Sequence, residues 1–311
     1  MVNLKIDLPD GFLDEEIRCG HKVSAKMKSV WAVQLDLFSE LDRVCRKYDI
    51  KYFTNGGKTL GAVRHKGFIP WDDDMDFMLS RAEYNRLCEV ASFEFRYPYF
   101  FQTDTTESES LQFFAKLINC ETTAICQSDL MNKDYHQGIW IDIFPYDNIV
   151  DDAVLFERQR MLADKYKNRL YLFASIAYKR YAVSRIRTLA FLKRLICISL
   201  GWFFKLFVKY YYKRFIATIS LYDSQKTESF SLLFWGFDNL HVRKVQDFKE
   251  TEQIDFEFLK VPVPINYERV LTDVFGDWKV YIKGASLHGS VLFDTGYSYK
   301  NYLNKPRLSL S

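Results

Sequence analysis

Apolar residues recur at spacings of three and four between residues 22 and 48, a pattern that predicts a helix. The positions that carry it are Val30, Val33, Leu37, Leu41, Val44 and Tyr48. A short apolar run over residues 50–54 predicts a strand directly afterwards. Because the apolar positions lie on one face, we expect this helix to form part of a core, and we assign it no chemistry.

Further along the chain, short strands alternate with short helices. Ser80 and Glu83 form a capping box, which predicts that a strand ends and a helix begins there. The remaining predicted elements are strands at 99–103 and 138–145, a hairpin made of 111–118 and 122–126, and helices at 151–180 and 267–274, the last ended by Gly276. We therefore expect a domain that combines strands and helices.

Length and composition are those of a globular protein and exclude few function classes. The 311 residues suffice for one large domain or two modest ones, and nearly half of them are apolar. The net charge of +3 predicts no general affinity for polyanions, so nucleic acid is not an expected partner. The six cysteines form no Cys-x-x-Cys pair, and the first residues lack a signal-peptide pattern, so we expect free thiols and a cytoplasmic location.

The first candidate for chemistry is an acidic run at residues 72–76. Asp74 and Asp76 are separated only by Met75. On an extended strand, residues i and i+2 point to the same face, so both carboxylates can reach one cation. An acidic run is more often a solvated loop, but the apolar Ile69 and Trp71 lie close by. A site for Mg²⁺, with Mn²⁺ as an alternative, is therefore the interpretation that we carry forward.

A glycine pair precedes the acidic run. Gly56 and Gly57 follow the strand at 50–54 and come before a short helical segment at 59–65. Glycines in such a place let the backbone approach a phosphate closely, although a lone Gly-Gly is typical of an ordinary turn. Three consecutive basic residues, Arg64, His65 and Lys66, add positive charge between the glycines and the acids. The combination is more specific than either part.

This stretch resembles the LicD family of phosphotransferases, which includes the fukutin-related proteins and belongs to the nucleotidyltransferase superfamily. The resemblance is carried by Gly56-Gly57-Lys58-Thr59-Leu60-Gly61-Ala62-Val63-Arg64 and by Gly67-Phe68-Ile69-Pro70-Trp71-Asp72-Asp73-Asp74-Met75-Asp76. It implies an α+β fold of nucleotidyltransferase type, with a mixed sheet flanked by helices, a carboxylate triad that binds Mg²⁺, and a nucleotide-linked donor. One departure is Lys58, because the family usually has a small hydroxyl residue there.

The third acid lies on the strand at 138–145. Asp142 interrupts an otherwise apolar run, and burying a carboxylate is costly unless it has a partner. It could be a structural residue that caps a loop. The family resemblance, in which a W-I-D-I-F-P segment follows the acidic cluster, instead implies the third metal ligand and a group that orients or deprotonates the acceptor. The resemblance extends over residues 28–148 and, more loosely, over 254–300.

A basic and aromatic region covers residues 165–222. It has thirteen Lys or Arg residues and no Asp or Glu, and apolar and aromatic residues are interleaved with them. The uncharged run at 195–204 is too short to span a bilayer, which needs roughly 20 residues. Two interpretations carry equal weight: a helix that lies on an anionic membrane surface, and a helical hairpin packed on the core with solvated lysines. Nucleic acid is a weaker third option.

Together these features predict a transferase that moves a phospho-substituent, with phosphocholine as the first choice, from a CDP-activated donor to a sugar hydroxyl. The acceptor would be a surface glycan or its lipid-linked precursor, and the enzyme would be cytoplasmic or peripheral on the inner membrane face. The predicted catalytic and metal-binding residues are Asp74, Asp76 and Asp142, and the predicted donor-binding residues are Gly56, Gly57, Lys58, Arg64, His65, Lys66, Trp71 and Asp72.

The alternatives that stay open are ribitol phosphate, glycerol phosphate or aminoethylphosphonate as the transferred group, transfer of the nucleotide itself, and a non-catalytic partner in glycan assembly. The same sequence features predict three parts of the chain. These are a catalytic core at 1–150, a basic helical insertion at 151–225, and a C-terminal part at 226–311 that completes the catalytic domain.

Overall fold

The structure is a computed structural model that describes residues 1–126, 135–178, 187–237, 242–284 and 291–303. The chain divides into two compact units, one formed by 1–145 with 246–311 and the other by 146–245. The predicted division at residues 150 and 225 stays a prediction. Helices and a central sheet occur together, which confirms the α+β class, whereas the nucleotidyltransferase type of the sheet stays a prediction.

The elements of the described chain are short, apart from three long helices. In chain order the strands are β1 Glu16–Arg18, β2 His21–Val23, β3 Phe53–Thr54, β4 Asp76–Ser80, β5 Tyr99–Gln102, β6 Ala115–Asn119, β7 Thr123–Cys126, β8 Ile139–Ile149, β9 Ser229–Ser231, β10 Arg243–Lys244, β11 Thr251–Phe256, β12 Leu259–Pro264 and β13 Val291–Asp294. The α-helices are α1 Ala25–Lys47, α2 Gly57–Leu60, α3 Arg81–Glu94, α4 Ala153–Ala177, α5 Arg187–Ile219, α6 Tyr267–Phe275 and α7 Lys300–Leu303.

Helix α1 forms the centre of the first unit's core, as its sequence pattern predicts. Ser24 caps its start by accepting a hydrogen bond from the amide of Met27 at 3.2 Å. The predicted core positions Val30, Val33, Leu37, Leu41 and Val44 are fully buried. Phe38 stacks on Phe77 of β4 with ring centroids 5.2 Å apart. The helix therefore packs directly against the strand that follows the acidic run.

The central sheet of the first unit has the strand order β3–β4–β8–β6–β5. The β3–β4, β8–β6 and β6–β5 pairs are antiparallel. In the register of β6 and β8, Lys116 lies opposite Asp142. Strand β4 is thus a direct neighbour of β8, and the two acid-bearing segments meet in the middle of the sheet.

The hairpin predicted from 111–118 and 122–126 is wrong. Strand β6 pairs with β5 on one side and with β8 on the other, so both of its edges are occupied. Strand β7 pairs instead with β13, with Ile125 opposite Leu292. The apolar periodicity identified the strands correctly, but it carries no information on which strand each edge accepts.

The second unit contains a hairpin of two long helices. Gln159 near the start of α4 donates a 2.9 Å hydrogen bond to the carbonyl oxygen of Thr218 near the end of α5. Phe173 near the end of α4 stacks on Phe207 at 4.9 Å. The two helices are therefore antiparallel. In the same unit the last residues of β8 pair with β9, which pairs with β10.

Among the residues that the structure describes, no helix combines the length and the apolar character that crossing a membrane requires.

Candidate active site

The acidic run is held from below by helix α1. Trp31 donates its indole N–H to the carbonyl oxygen of Asp72 at 2.9 Å, and Gln34 donates its amide to the carbonyl oxygen of Asp73 at 2.8 Å. Both side chains are buried. They satisfy backbone acceptors that would otherwise be buried without partners, and they fix the path of the chain into β4. The sequence pattern gave this helix only a packing role, so these two residues were missed.

Asp142 lies beside the Asp-Met-Asp segment. Its main-chain amide donates a 2.9 Å hydrogen bond to the carbonyl oxygen of Met75. Its carboxylate accepts a hydrogen bond at 3.1 Å from the indole of Trp140, and the ammonium of Lys116 lies 3.2 Å from its Oδ1 atom, in ion-pair range. Only 5% of the residue is exposed. The carboxylate is thus buried between an indole donor and a lysine.

The three predicted ligands lie close enough to act on one another's charge. Burial raises the pKa of Asp76 well above its ordinary value, and the negative charges of Asp74 and Asp142 raise it further. Burial also raises the pKa of Asp142; Lys116 opposes the shift and Asp74 adds to it. Carboxylates that repel one another in a buried place are the electrostatic environment in which a divalent cation is most strongly favoured.

The oxygen atoms present suit such a cation. Among the described residues, Oδ1 of Asp76 and Oδ1 of Asp142 are buried and accept no hydrogen bond. Buried polar atoms are nearly always satisfied, so two such oxygens on neighbouring strands indicate a group that binds there. An all-oxygen set of carboxylates suits Mg²⁺ or Mn²⁺. The residues therefore fit the ion, and their role as its ligands stays a prediction.

A second acidic group lies next to the first. One carboxylate oxygen from each of Asp72, Asp73 and Asp74 falls within 4.8 Å of the others. Lys58 approaches this group from the glycine turn: its ammonium forms an ion pair with Asp72 and another with Asp74 at 2.6 Å. Burial alone would lower the pKa of Lys58, but Asp72 and Asp74 raise it above its ordinary value, so the side chain is charged.

The glycine turn is attached to the acid-bearing strand. The amide of Asn55 donates to the carbonyl oxygen of Asp76 at 3.0 Å, and the amide of Lys58 donates to the carbonyl oxygen of Asn55 at 3.0 Å. Gly56 has a φ of +49°, which favours glycine. A Cβ atom on Gly57 would lie 3.3 Å from Oδ2 of Asp72. The structure thus brings both glycines next to the acids, and their contact with a pyrophosphate stays a prediction.

The predicted helix after the glycines is made of two parts, the four-residue α2 and a π-helical turn at Gly61–His65. A Cβ atom on Gly61 would lie 2.6 Å from the carbonyl oxygen of Gly67, so only glycine allows this close approach. The turn ends at Lys66, which has a left-handed φ of +51°. The chain then returns towards the acidic run.

The three basic residues have partners other than the acids. Arg64 donates to the carbonyl oxygen of Trp278 at 3.0 Å. Burial and the charges of Arg64 and Arg18 lower the pKa of His65 to about 4, so His65 carries no positive charge at neutral pH. Lys66 is exposed. The structure therefore places Arg64 on the C-terminal segment, and it gives the predicted donor contacts of these three residues no geometric support.

Trp71 lies at the rim of the acidic run among other rings. Its ring centroid is 6.0 Å from that of His21 and 5.5 Å from that of Tyr281. It also packs against the small apolar cluster of Leu60, Ile69 and Leu271. The contacts explain why a tryptophan follows Pro70 in this loop, and the predicted contact with a donor stays a prediction.

A buried ion pair fixes the loop between the π-helical turn and the acids. Glu257 accepts a hydrogen bond from the amide of Phe68 at 3.0 Å and two from the guanidinium of Arg18 at 2.5 and 3.1 Å. Its side chain is 8% exposed. Glu257 belongs to the F-E-x-L-x-V-P segment on which the looser part of the resemblance rests, whereas Arg18 had no signal in the sequence.

Comparison with known proteins gives a consistent result. The family model LicD/FKTN/FKRP, nucleotidyltransferase domain, matches residues 49–167. The lipopolysaccharide cholinephosphotransferase LicD of Haemophilus influenzae is 35% identical over 123 residues, which cover 39% of this chain and 44% of that protein. An uncharacterised protein of Rickettsia prowazekii is 40% identical over 63 residues, or 20% of this chain and 22% of the relative.

The matched segments thus span less than half the length of these curated relatives. They contain every residue of the glycine turn, the acidic run and the strand of Asp142 that the family model covers. On this ground, residues 49–167 of the chain are a domain of the LicD/FKTN/FKRP family.

Proposed function

We propose that this chain is a Mg²⁺-dependent transferase that moves phosphocholine from CDP-choline to a sugar hydroxyl of a cell-surface glycan or its lipid-linked precursor. The observation that carries the proposal is the group of buried carboxylates at Asp74, Asp76 and Asp142, with unsatisfied oxygens, beside the glycine turn. The related Haemophilus influenzae protein is a lipopolysaccharide cholinephosphotransferase, which supports both the transferred group and the class of acceptor.

In this mechanism Asp74, Asp76 and Asp142 hold the cation. When bound, Mg²⁺ supplies charge neutralisation to the phosphate oxygens of the donor. The acceptor oxygen attacks the phosphorus of the phosphocholine group, the bond from that phosphorus to the bridging oxygen breaks, and CMP leaves. A carboxylate oxygen of Asp142 takes the proton of the acceptor hydroxyl, since burial raises the pKa of this residue and makes it a better base than a solvated aspartate.

Two neighbours position Asp142 for that role. The indole of Trp140 donates to Oδ2 at 3.1 Å, and Lys116 lies 3.2 Å from Oδ1 and 4.2 Å from the centroid of the Trp140 ring. These contacts restrict the rotation of the carboxylate. Asp142 is therefore oriented before the substrates bind, while the cation draws the donor phosphate to the same place.

A donor screen tests the proposal. Purified protein is incubated with Mg²⁺, a lipopolysaccharide acceptor and CDP-choline, CDP-ribitol, CDP-glycerol or a CMP-linked aminoethylphosphonate in parallel. We expect release of CMP and labelled glycan with CDP-choline. Release of pyrophosphate from CTP in its place would assign nucleotidyl transfer, and no product with any donor would assign a non-catalytic role in glycan assembly. An Asp76→Asn variant is the control for contaminating transferases.

The second unit has a feature that fits a membrane-associated acceptor. Helix α4 ends at Ala177, and the stacking of Phe173 on Phe204 and Phe207 places that end level with the middle of α5. Residues 187–203 of α5 therefore extend beyond the last turn of α4. At 1.5 Å per residue, this overhang is about 25 Å long.

The overhang exposes large apolar side chains on several sides. Phe191, Ile198 and Trp202 are 64%, 68% and 70% exposed. Exposed lysines at 205, 209 and 213 follow on the same helix, and the sequence from 165 to 222 contains no acid. Apolar and aromatic groups with basic residues and no acids are typical of a segment that enters the headgroup region of an anionic membrane. We propose that the overhang docks there and gives access to lipid-linked acceptors.

Vesicle sedimentation tests the docking. We expect the protein to sediment with phosphatidylglycerol vesicles at physiological salt and to stay in solution with phosphatidylcholine vesicles. Replacing both Phe191 and Trp202 by Ser should reduce the bound fraction several-fold, whereas Tyr97→Ser, which removes an aromatic ring that is 74% exposed in the other unit, should not. Failure of the unaltered protein to bind anionic vesicles would leave the hairpin with a packing role only.

A further inference from the structure

Lys58 is a buried cation inside the acidic cluster. Its side chain is 1% exposed, and its ammonium contacts Asp72 and, at 2.6 Å, Oδ1 of Asp74. The residue precedes Thr59 in α2, whose hydroxyl is bonded to Thr54. In the pattern of the family this position is a small hydroxyl residue, which brings no charge. The chain has therefore placed a positive charge of its own where relatives of that pattern have none.

The other edge of the cluster is covered in the same way. Lys116 lies 3.2 Å from Asp142, which is on the far side of Met75 from Asp72 and its neighbours in the strand arrangement. Between the two lysines is Asp76, whose buried Oδ1 has no hydrogen-bond partner among the described residues. The uncompensated negative charge is thus concentrated around Asp76 and the adjacent oxygens of Asp74 and Asp142.

A count of charges gives the capacity of the site. The four carboxylates that act on each other around Asp76 are those of Asp72, Asp74, Asp76 and Asp142. The ammonium groups of Lys58 and Lys116 compensate two of the four negative charges, so one divalent cation compensates the other two. A second divalent cation would have to share the Asp72–Asp74 edge with a buried ammonium, and two cations at such a distance repel each other strongly in a buried place.

We propose that Lys58 is a resident cation of the active site, which occupies the Asp72–Asp74 edge and limits the chain to one divalent ion held by Asp74, Asp76 and Asp142. Phosphoryl-transfer sites that use two metal ions place them about 3.5–4 Å apart, with shared carboxylates between them. Here the second position is taken by a side chain of the protein. The inference deepens the metal part of the proposed function and is independent of the donor and the acceptor.

The test is a titration with Mn²⁺ alone, in which bound ion is counted by electron paramagnetic resonance and thermal unfolding is followed in parallel. We expect the unaltered chain to bind one Mn²⁺. Lys58→Thr should bind two, should be less stable than the unaltered chain without metal, and should recover stability when Mn²⁺ is added, because the second ion then compensates Asp72 and Asp74. Lys58→Arg, which keeps the charge, should still bind one.

A matched control separates this effect from the loss of any buried lysine. Lys28 is 4% exposed and pairs with Glu16 at 3.0 Å, in the same unit. Lys28→Met should also lose stability, but it should bind one Mn²⁺ and should gain no more stability from the ion than the unaltered chain gains. Asp72→Asn provides a variant without a lysine change, and it should still bind one ion because Asp72 faces Lys58.

Several outcomes would overturn the inference. Two ions on the unaltered chain would show that Lys58 leaves the edge free, for example by moving to the donor phosphate. One ion on Lys58→Thr, or loss of the ion from Asp72→Asn, would remove Lys58 from the cation count. No ion on the unaltered chain would overturn both this inference and the metal part of the proposed function, whereas the other outcomes leave the proposed function intact.

Discussion

The main-chain amide of Asp142 is hydrogen-bonded to the carbonyl oxygen of Met75 at 2.9 Å. This bond joins two strands that are more than sixty residues apart in the chain. It aligns Asp142 with the two aspartates that flank Met75, so a change in any one of the three carboxylates should be felt by the others.

Asp76→Asn should stabilise the metal-free protein and abolish turnover. Neutralising Asp76 removes a buried charge that Asp74 and Asp142 repel, and a gain of 1 kcal/mol corresponds to about 2–4 °C in Tm. Losing a ligand should cost more than the roughly 10–100-fold that outer-shell changes cost. Calorimetry and the CMP-release assay measure the two effects. Asp273→Asn, at an exposed position on α6, is the control and should change neither.

Gln34→Leu should lower the free energy of unfolding by about 1–3 kcal/mol. The substitution keeps the shape of the side chain but removes the donor to the carbonyl oxygen of Asp73, which then stays buried without that bond. Urea unfolding measures the loss, and turnover should fall as well because the acidic run is less firmly held. Gln253→Leu, at an exposed position of β11, should stay within about 0.5 kcal/mol. Equal effects of the two changes would contradict the role of Gln34.

Arg18→Met should destabilise the protein by about 3–5 kcal/mol, because Glu257 is left as a buried carboxylate without its main partner. Chemical denaturation measures the change. A pair in the neighbouring hairpin provides the control: Lys260 and Asp255 are 2.6 Å apart but 61% and 57% exposed. Lys260→Met should cost no more than about 1 kcal/mol. Should Arg18→Met cost as little, the pair would not hold the loop at Phe68.

His136 should make stability depend on pH. Its contacts with Cys120 and Glu107 raise the pKa of His136 to about 9 from an ordinary value of 6.5. A raised pKa in the folded state stabilises the protein fully below pH 6.5, and this contribution is lost as the pH rises through 9. Urea unfolding below pH 6.5 and above pH 9 should show that loss in the unaltered chain and a smaller one in His136→Gln. An identical loss in both would assign the pH dependence to other groups.

Much of the local structure could be predicted from sequence because its causes are local. The periodicity of Val30 to Val44 identified α1, and the capping box identified the start of α3, where Ser80 accepts from the amide of Glu83 at 3.3 Å. The spacing of Asp74 and Asp76 and the isolation of Asp142 in an apolar strand pointed to the right carboxylates. Each of these signals lies within a few residues.

The rest depends on contacts between distant parts of the chain. Trp31 and Gln34 look like ordinary residues of a core helix, and only the fold shows that they hold the acidic run. The basic run failed as a predictor of charge at the site for the same reason, since Arg64 is bound to the carbonyl oxygen of Trp278, more than two hundred residues away. Lys58 was expected to contact phosphate, and its carboxylate partners became visible only in three dimensions.

The π-helical turn at Gly61–His65 has a consequence for how this domain can change in length. Such a turn holds one residue more than an α-helical turn, so deleting one residue there would restore the regular helix and rotate everything after it by about 100°. Phe68 would then lose its stacking on Trp31, whose ring lies 4.6 Å away. Insertions and deletions that are harmless elsewhere in surface segments are therefore excluded between the two glycines at 61 and 67.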